Sequence, residues 1–151
     1  MNNMEIEKKF IPKYLPEEIK NAVCHEIEQA YLNTAPVIRI RKSDDDYYLT
    51  YKGGGKMVRK EYNLPLNKES YYHLLEKADG NIITKKRFEI PLSCGLVAEL
   101  DVFEGKFEGL VLVEVEFESV EAANEFVAPE WFGEDVTSDG RYHNSYLSMV
   151  K

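Results

Sequence analysis

Polar and apolar residues alternate with a period of two along most of this chain, which is the spacing expected of β-strands. Eight segments show the pattern, and the one at 26–32 shows it most weakly: 4–11, 26–32, 37–42, 47–52, 58–66, 82–90, 96–103 and 110–118. The run Gly53-Gly54-Gly55 separates two of these segments. Successive glycines favour turn conformations, so we expect a hairpin over 47–66.

Helix signals are fewer and fall between or after the strands. Pro16 and the two acids after it suit the first turn of a helix. A second helix is predicted to begin at Asn67 and to end near Gly80, and a third to begin with Ser119 as its N-cap. A last short helix is predicted within 142–150.

This order of elements predicts a mainly β (α+β) fold, in which a mainly antiparallel sheet of seven or eight strands is flanked by short helices. A sheet of that size commonly closes into a barrel. The chain has 151 residues, of which 44% are hydrophobic, and this is enough for one core. We therefore expect a single domain over 1–151.

Charged residues occupy the alternate positions of six predicted strands, and residues two apart on a strand share a face. The groups that share a face are Glu5, Glu7 and Lys9; Arg39 and Arg41; Arg59 and Glu61; Lys85 and Arg87; Glu99 and Asp101; and Glu114, Glu116 and Glu118. An ordinary solvated face of a sheet is the simplest interpretation of any one strand. Across all six strands, however, the face is almost purely charged, with one sign predominating on most strands.

The alternative is that this face lines the interior of a barrel and that the helices cover the apolar outside. So many buried charges would be very costly unless a multiply charged ligand bound among them. Neighbouring carboxylates favour a hard divalent cation such as Mg²⁺ or Mn²⁺, and arginine pairs favour phosphate oxygens. The pattern is therefore consistent with a site for a metal ion and a polyphosphate.

The chain as a whole excludes some other classes of function. Its net charge of −8 argues against a nucleic-acid partner, which needs a broad basic surface. No apolar run approaches the roughly 20 residues of a membrane span, and no secretory signal is evident. Cys24 and Cys94 show no metal-binding spacing. We therefore expect a cytoplasmic protein without a membrane partner.

Several short motifs, in order along nearly the whole chain, resemble those of the CYTH superfamily, the triphosphate tunnel metalloenzymes. The first is Glu5-Ile6-Glu7-Lys8-Lys9, which matches the ExExK signature of that family. The others are Arg39-Ile40-Arg41, Lys52, Arg59-Lys60-Glu61, Lys85-Lys86-Arg87, Glu99-Leu100-Asp101, Glu114-Val115-Glu116 and the closing Arg141-Tyr142-His143-Asn144.

The resemblance implies an eight-stranded antiparallel closed β-barrel with ligands bound inside it. It implies metal binding by Glu5, Glu7, Glu114 and Glu116. It implies triphosphate binding by Lys9, Arg39, Arg41, Lys52, Arg59, Lys85 and Arg87. Glu61, Glu99 and Asp101 would support these groups.

Among family members, the chain most resembles the short bacterial enzymes that cleave inorganic triphosphate to pyrophosphate and phosphate with Mg²⁺ or Mn²⁺. The residues implied in catalysis are Glu5, Glu7, Lys9, Lys85 and Glu116. A class IV adenylyl cyclase, a thiamine triphosphatase and a non-catalytic polyphosphate-binding module remain alternatives. The expected partner is a small polyphosphate, and the sequence leaves the oligomeric state open.

Overall fold

The computed structural model describes residues 3–151 and contains nine strands and three α-helices. The strands are β1 (Met4–Pro12), β2 (Val23–Thr34), β3 (Val37–Ser43), β4 (Asp46–Lys52), β5 (Val58–Pro65), β6 (Asp79–Pro91), β7 (Val97–Phe103), β8 (Val111–Glu116) and β9 (Phe132–Asp135). The helices are α1 (Lys68–Leu75), α2 (Val120–Glu125) and α3 (Asn144–Ser148). Short 3-10 turns cover Glu17–Asn21, Gly105–Phe107 and Gly140–Tyr142.

Eight of the strands form a closed antiparallel barrel. Their order is β5-β4-β3-β2-β6-β7-β8-β1, and β1 also pairs with β5, which completes the ring. The ninth strand, β9, pairs with the far end of β1 and lies outside the ring. The predicted barrel and its hairpin at the glycine run are confirmed.

The structure corrects the predicted elements at four places. The weak segment at 26–32 is part of the twelve-residue strand β2, and the short strand β9 was not predicted. Strand β8 ends at Glu116, so Glu118 is an exposed residue beyond it. Helix α1 ends at Leu75, and Gly80, with φ of 72°, belongs to β6. Gly80 was mistaken for a helix end because glycine with positive φ is common there.

The predicted helix starts agree with the structure at two of three positions. The side chain of Asn67 accepts a hydrogen bond from the Ser70 amide, and that of Ser119 accepts one from the Ala122 amide. Pro16 precedes a 3-10 turn rather than an α-helix. No helix within residues 3–151 is long and apolar enough to cross a bilayer.

Two apolar clusters cover the outside of the barrel. Phe10, Leu100 and Val113 belong to the larger cluster, and Phe126 and Phe132 pack on it from the segments around α2 and β9. The smaller cluster comprises Ala30, Ile40 and Tyr71, with Tyr71 supplied by α1 and fully buried. The apolar faces of the strands are therefore on the outside, and the charged faces point inward.

A third apolar cluster fills one end of the barrel interior. Its strand residues share inward faces with charged residues: Val37 with Arg39, and Leu112 with Glu114. The chain's C-terminal part adds Leu147 of α3 to the same cluster. The sequence suggested an inner wall that is charged along its whole length, and the structure shows that one end of this wall is apolar. Charged residues occupy the rest of the barrel interior. The apolar cluster closes the other end and forms an apolar floor.

Candidate active site

A cavity of about 350 Å³ lies inside the barrel beside this apolar floor. Seven basic and six acidic side chains line it: Lys9, Arg39, Arg41, Lys52, Lys56, Arg59 and Arg87, with Glu5, Glu7, Glu61, Glu99, Glu114 and Glu116. The other lining residues are Tyr31, Val37, Tyr48, Asn63, His143, Asn144 and Ser145. Basic and acidic side chains are therefore nearly equal in number in this cavity, although the chain as a whole is acidic.

The register of the strands brings opposite and like charges together. Lys9 of β1 is paired with Glu114 of β8, and Glu114 is in turn opposite Glu99 of β7. Glu7 of β1 is opposite Glu116 of β8. Because the side chains at paired positions point to the same face, acidic groups from three strands meet at one side of the cavity.

Ion pairs neutralise part of this cavity. The Lys52 ammonium lies 2.8 Å from Oε1 of Glu5, and the Lys9 ammonium lies 3.4 Å from Oε1 of Glu114. Nη2 of Arg87 lies 3.6 Å from the second oxygen of Glu114. Lys9 and Arg87 hold the pKa of Glu114 well below its usual range, although burial opposes them.

Three guanidinium groups have no such acidic partner within residues 3–151. They belong to Arg39, Arg41 and Arg59, which hydrogen-bond instead to Thr50, to Gln29 and Tyr48, and to the carbonyl of Gly53. Nε of Arg39 is buried and has no hydrogen-bond partner in the part of the chain that the structure describes. Burial and the nearby Arg39 and Arg87 lower the pKa of Arg41. Arg39 and Arg41 are buried and Arg59 is half-buried. Cations that lack acidic partners in such surroundings are typical of an anion site.

The carboxyl groups on the other side of the cavity are crowded together, and their pKa values are raised. Burial raises the pKa of Glu5 to about 7 and that of Glu7 to about 8, and for Glu7 the neighbouring Glu114 adds to the shift. The pKa of Glu116 is raised by burial and by Glu99 and Glu61. Carboxyl groups with raised pKa values that face each other would be stabilised by a shared cation.

The donor chemistry of Glu5, Glu7, Glu114 and Glu116 therefore fits a hard divalent cation, which prefers carboxylate oxygens. Within residues 3–151, no three acidic, histidine or cysteine side chains are already arranged to hold an ion. Glu5 and Glu114 are engaged by Lys52, Lys9 and Arg87 instead. The chemistry of these carboxylates fits a metal ion. To bind one, Glu5 and Glu114 would have to leave their present lysine and arginine partners.

Two predicted site residues lie behind the cavity wall. Lys85 and Asp101 are almost completely buried, and neither lines the cavity. The carboxylate of Asp101 contacts Nζ of Lys85 at 2.8 Å and binds the Arg87 guanidinium through both oxygens, at 2.8 and 2.9 Å. Burial lowers the pKa of Lys85 to about 7, against the attraction of Asp101. Asp101 thus orients Arg87 toward the cavity from behind.

The other twelve predicted residues all line the cavity. Those that the sequence analysis placed on strands reach it because strand alternation points them inward, and Lys52 reaches it from the end of β4. Arg141, which was part of the closing motif, lies outside the cavity as an exposed residue paired with Asp139 at 2.6 Å.

Sequence reasoning missed several polar residues of the site. Lys56 enters from the loop after β4, while His143, Asn144 and Ser145 enter from the C-terminal segment. His143 and Asn144 were present in the closing motif but had no assigned role. Burial and the nearby Lys9 lower the pKa of His143 to about 4, so its imidazole is neutral near pH 7. Such residues have no periodic pattern, because they lie on loops and a single helical turn.

Comparison with known proteins agrees with this arrangement. The family model for the CYTH domain matches residues 3–143. The chain belongs to the CYTH family. The inorganic triphosphatase of Nitrosomonas europaea is 38% identical over 148 residues, which cover 96% of this chain and 97% of that protein. The inorganic triphosphatase of Acetivibrio thermocellus is 34% identical over 149 residues, with 95% and 92% coverage.

The solved structures that this chain resembles include an inorganic triphosphatase. The crystal structure of the inorganic triphosphatase NE1496 matches with a TM-score of 0.73 and 34% identity, covering 97% of this chain and 95% of that one. A Hippeastrum protein described as a putative adenylyl cyclase with a dominant triphosphatase activity matches with a TM-score of 0.57 at 16% identity, which supports the barrel fold alone.

Proposed function

We propose that this protein is a metal-dependent inorganic triphosphatase, which hydrolyses tripolyphosphate to pyrophosphate and phosphate inside the barrel. The observation that carries the proposal is that three guanidinium groups lining the cavity, those of the buried Arg39 and Arg41 and the half-buried Arg59, lack acidic partners among the described residues. They line the same cavity as carboxyl groups with raised pKa values. An anion would stabilise the first set, and a cation the second. The similarity to two proteins named inorganic triphosphatase supports the same substrate.

Phosphate binding in this proposal is shared by two kinds of cation. The unpaired arginines are available at once, whereas Lys9, Lys52 and Arg87 first exchange their carboxylate partners for phosphate oxygens. Each phosphate–cation contact at 4 Å contributes about 4 kcal/mol of Coulomb attraction at an effective dielectric of 20, before desolvation costs. Several such contacts can hold a triphosphate against the loss of its hydration.

We propose that Glu5, Glu7, Glu114 and Glu116 hold the metal ion, Mg²⁺ or Mn²⁺. When bound, the ion supplies neutralisation of phosphate charge and acidification of a bound water. Glu61 and Glu99 border this group and help to hold Lys52 and Arg87 in place, at 3.7 and 3.3 Å.

Proton transfer and charge stabilisation are assigned to the remaining predicted residues. Glu116 is the most exposed carboxylate of the set and its pKa is raised, so we assign it to accept the proton of the attacking water. Lys9 stabilises the phosphate under attack. Lys85 adds positive charge from behind the wall and, with Asp101, holds Arg87.

The test is phosphate release from inorganic triphosphate, ATP and thiamine triphosphate, each with Mg²⁺, Mn²⁺ or a chelator. We expect fast hydrolysis of inorganic triphosphate that requires the metal and is much slower with the two organic triphosphates. No release from any of them would remove the proposal, and cyclic AMP production from ATP would then be assayed.

A matched pair of arginine variants locates the activity in the cavity. Arg41→Ala removes a buried guanidinium that faces the cavity, so we expect KM for triphosphate to rise at least tenfold, by the size of a charge-assisted hydrogen bond. Arg141→Ala removes an exposed guanidinium outside the cavity and should leave KM unchanged. Equal kinetics of the two variants would place the reaction elsewhere.

We also propose a cytoplasmic location. The support is the pair of free, exposed cysteines, Cys24 and Cys94, since exposed thiols persist in a reducing compartment. Labelling of both thiols in freshly lysed cells, without prior reduction, is the expected result, and protection of either from labelling would contradict it.

A further inference from the structure

Asn144, the first residue of α3, joins the buried wall of the barrel to the surface of the cavity. Its Oδ1 accepts a hydrogen bond from Nζ of Lys85 at 3.0 Å and another from Nε2 of Gln29 at 3.2 Å. Both donors come from barrel strands and are fully buried. Asn144 itself lines the cavity. Its side chain therefore has one polar atom bound to the wall and another available to a ligand.

These contacts determine which way both amide groups point. Arg41 can only donate, so the Gln29 atom that it meets at 2.9 Å is the oxygen, and Nε2 of Gln29 remains to donate to Asn144. As an ammonium, the form that the Asp101 carboxylate 2.8 Å away favours, Lys85 can also only donate, so the Asn144 atom that it meets is the oxygen as well. A cation at each end of the chain of hydrogen bonds thus leaves a single orientation for both amides.

Nδ2 of Asn144 is the polar atom that remains. It has no hydrogen-bond partner among residues 3–151, and it is not among their buried unsatisfied atoms. It is therefore accessible to solvent, and the residue that carries it lines the cavity. The same end of the cavity contains Lys9, whose Nζ donates to the Tyr142 carbonyl at 3.0 Å and so fixes the neighbouring backbone.

We propose that Asn144 is a substrate-binding residue whose Nδ2 donates hydrogen bonds to the phosphate that reaches deepest into the cavity, and that Gln29 is the residue that positions it. The inference rests on the proposed function, which supplies the phosphate ligand. A neutral amide suits the position because it donates to phosphate without adding a further buried charge beside Lys9 and Lys85. A carboxylate there would attract both lysines away from the ligand and repel the phosphate.

The experiment is calorimetric binding of inorganic tripolyphosphate in excess chelator, which measures affinity without turnover. We expect about tenfold weaker binding for Asn144→Ala, because a hydrogen bond to a charged group is lost. Asn144→Asp keeps the oxygen that Lys85 and Gln29 need but replaces the donor by a negative charge, so its binding should be weaker still.

Asn81→Ala is the matched control. Asn81 of β6 donates to the carbonyls of Leu147 and Val150 and so anchors the same C-terminal segment from outside the cavity. We expect this variant to lower Tm while the affinity stays within about twofold of wild type. Equal loss of affinity in Asn81→Ala and Asn144→Ala, at similar Tm, would show that Asn144 only anchors the segment and would overturn the proposal.

A double-mutant cycle tests the part assigned to Gln29. Gln29→Leu should weaken binding, and adding it to Asn144→Ala should cost less than the sum of the two single changes, because both act through one hydrogen-bonded chain. Additive losses would remove Gln29 from the proposal. If wild type itself neither binds nor hydrolyses tripolyphosphate, the proposed function fails instead, so the two failures are distinguishable.

Discussion

Lys85 and Asp101 form a fully enclosed ion pair, with Nζ 2.8 Å from Oδ2, in the layer behind the cavity wall. The same carboxylate also binds Arg87 through both oxygens. One carboxylate therefore contacts two cations, and it is the only acidic partner of the fully buried Lys85 among the described residues. Removing one member of such a group leaves a buried charge uncompensated, and that is far more costly than the loss of an exposed pair.

Asp101→Asn should consequently lower the free energy of unfolding by about 3 kcal/mol, as expected for a broken buried ion pair. Urea denaturation followed by circular dichroism measures the change. Asp139→Asn is the control, since Asp139 pairs with the exposed Arg141 and its loss should change stability far less. Similar denaturation midpoints for the two variants would contradict the importance assigned to the buried pair.

Glu7→Gln should abolish metal-dependent triphosphate hydrolysis, because Glu7 is one of the four proposed metal ligands and a neutral amide binds Mg²⁺ or Mn²⁺ much more weakly. It should also remove the rise in Tm that Mn²⁺ is expected to give the wild-type protein. Glu118→Gln, an exposed acid just beyond β8, should retain both properties. Retention of metal-dependent turnover by Glu7→Gln would eliminate the proposed metal site.

The stability of the metal-free protein should depend on pH through Glu7. Its pKa is about 8 in the folded protein, against a reference value of 4.5, so folding favours the protonated carboxyl. The stability that depends on this proton is present at low pH and is lost as pH rises toward 8. Glu7→Gln keeps a neutral group at every pH, so its stability relative to wild type should increase between pH 5 and 8.5.

The expected increase is on the order of 3 kcal/mol, since each pKa unit corresponds to about 1.4 kcal/mol. Chemical denaturation of both proteins in chelator, at four or five pH values, measures the difference directly. Groups that titrate independently of Glu7 are common to both proteins and cancel, whereas nearby carboxyls such as Glu5 contribute to the difference. A difference that stays constant from pH 5 to 8.5 would show that Glu7 titrates at an ordinary pKa.

Gly80→Ala should destabilise the docking of α3 on the barrel. Gly80 has φ of 72°, and an added Cβ would lie 2.1 Å from the Ser148 carbonyl oxygen, so the backbone must move. Gly95→Ala is the control, because Gly95 has φ of 86° but open space around the added carbon. We expect Tm to fall several degrees further for Gly80→Ala. Equal falls would mean that only the positive φ matters at Gly80.

Sequence patterns predicted the barrel and its interior charges because both depend on strand alternation. Arg39, Glu99 and Glu114 follow that period and were assigned correctly to an inward face. Gln29 follows it too, but its side chain is uncharged, and the pattern that indicated the site was one of charged residues. Asn144 was missed because its position depends on how the C-terminal segment docks, and a five-residue helix has too few turns to show periodicity.

The filled end was also unpredictable from any single strand. Val37 and Leu112 are apolar residues on otherwise charged faces, and each looks like an ordinary exception in its own strand. Only closure of the barrel brings them together with Leu147, more than thirty residues beyond Leu112 in the chain. Long-range packing of this kind has no local signature.

The internal ion pairs have a thermodynamic consequence for how ligands would bind. The carboxylates proposed to bind the metal are at present counterions of the cations proposed to bind phosphate, as with Glu5 and Lys52 or Glu114 and Lys9. Recruiting either ligand therefore releases the partner group for the other one. If both ligands bind as proposed, binding of the metal ion raises the affinity for the phosphate, and binding of the phosphate raises the affinity for the metal ion by the same factor.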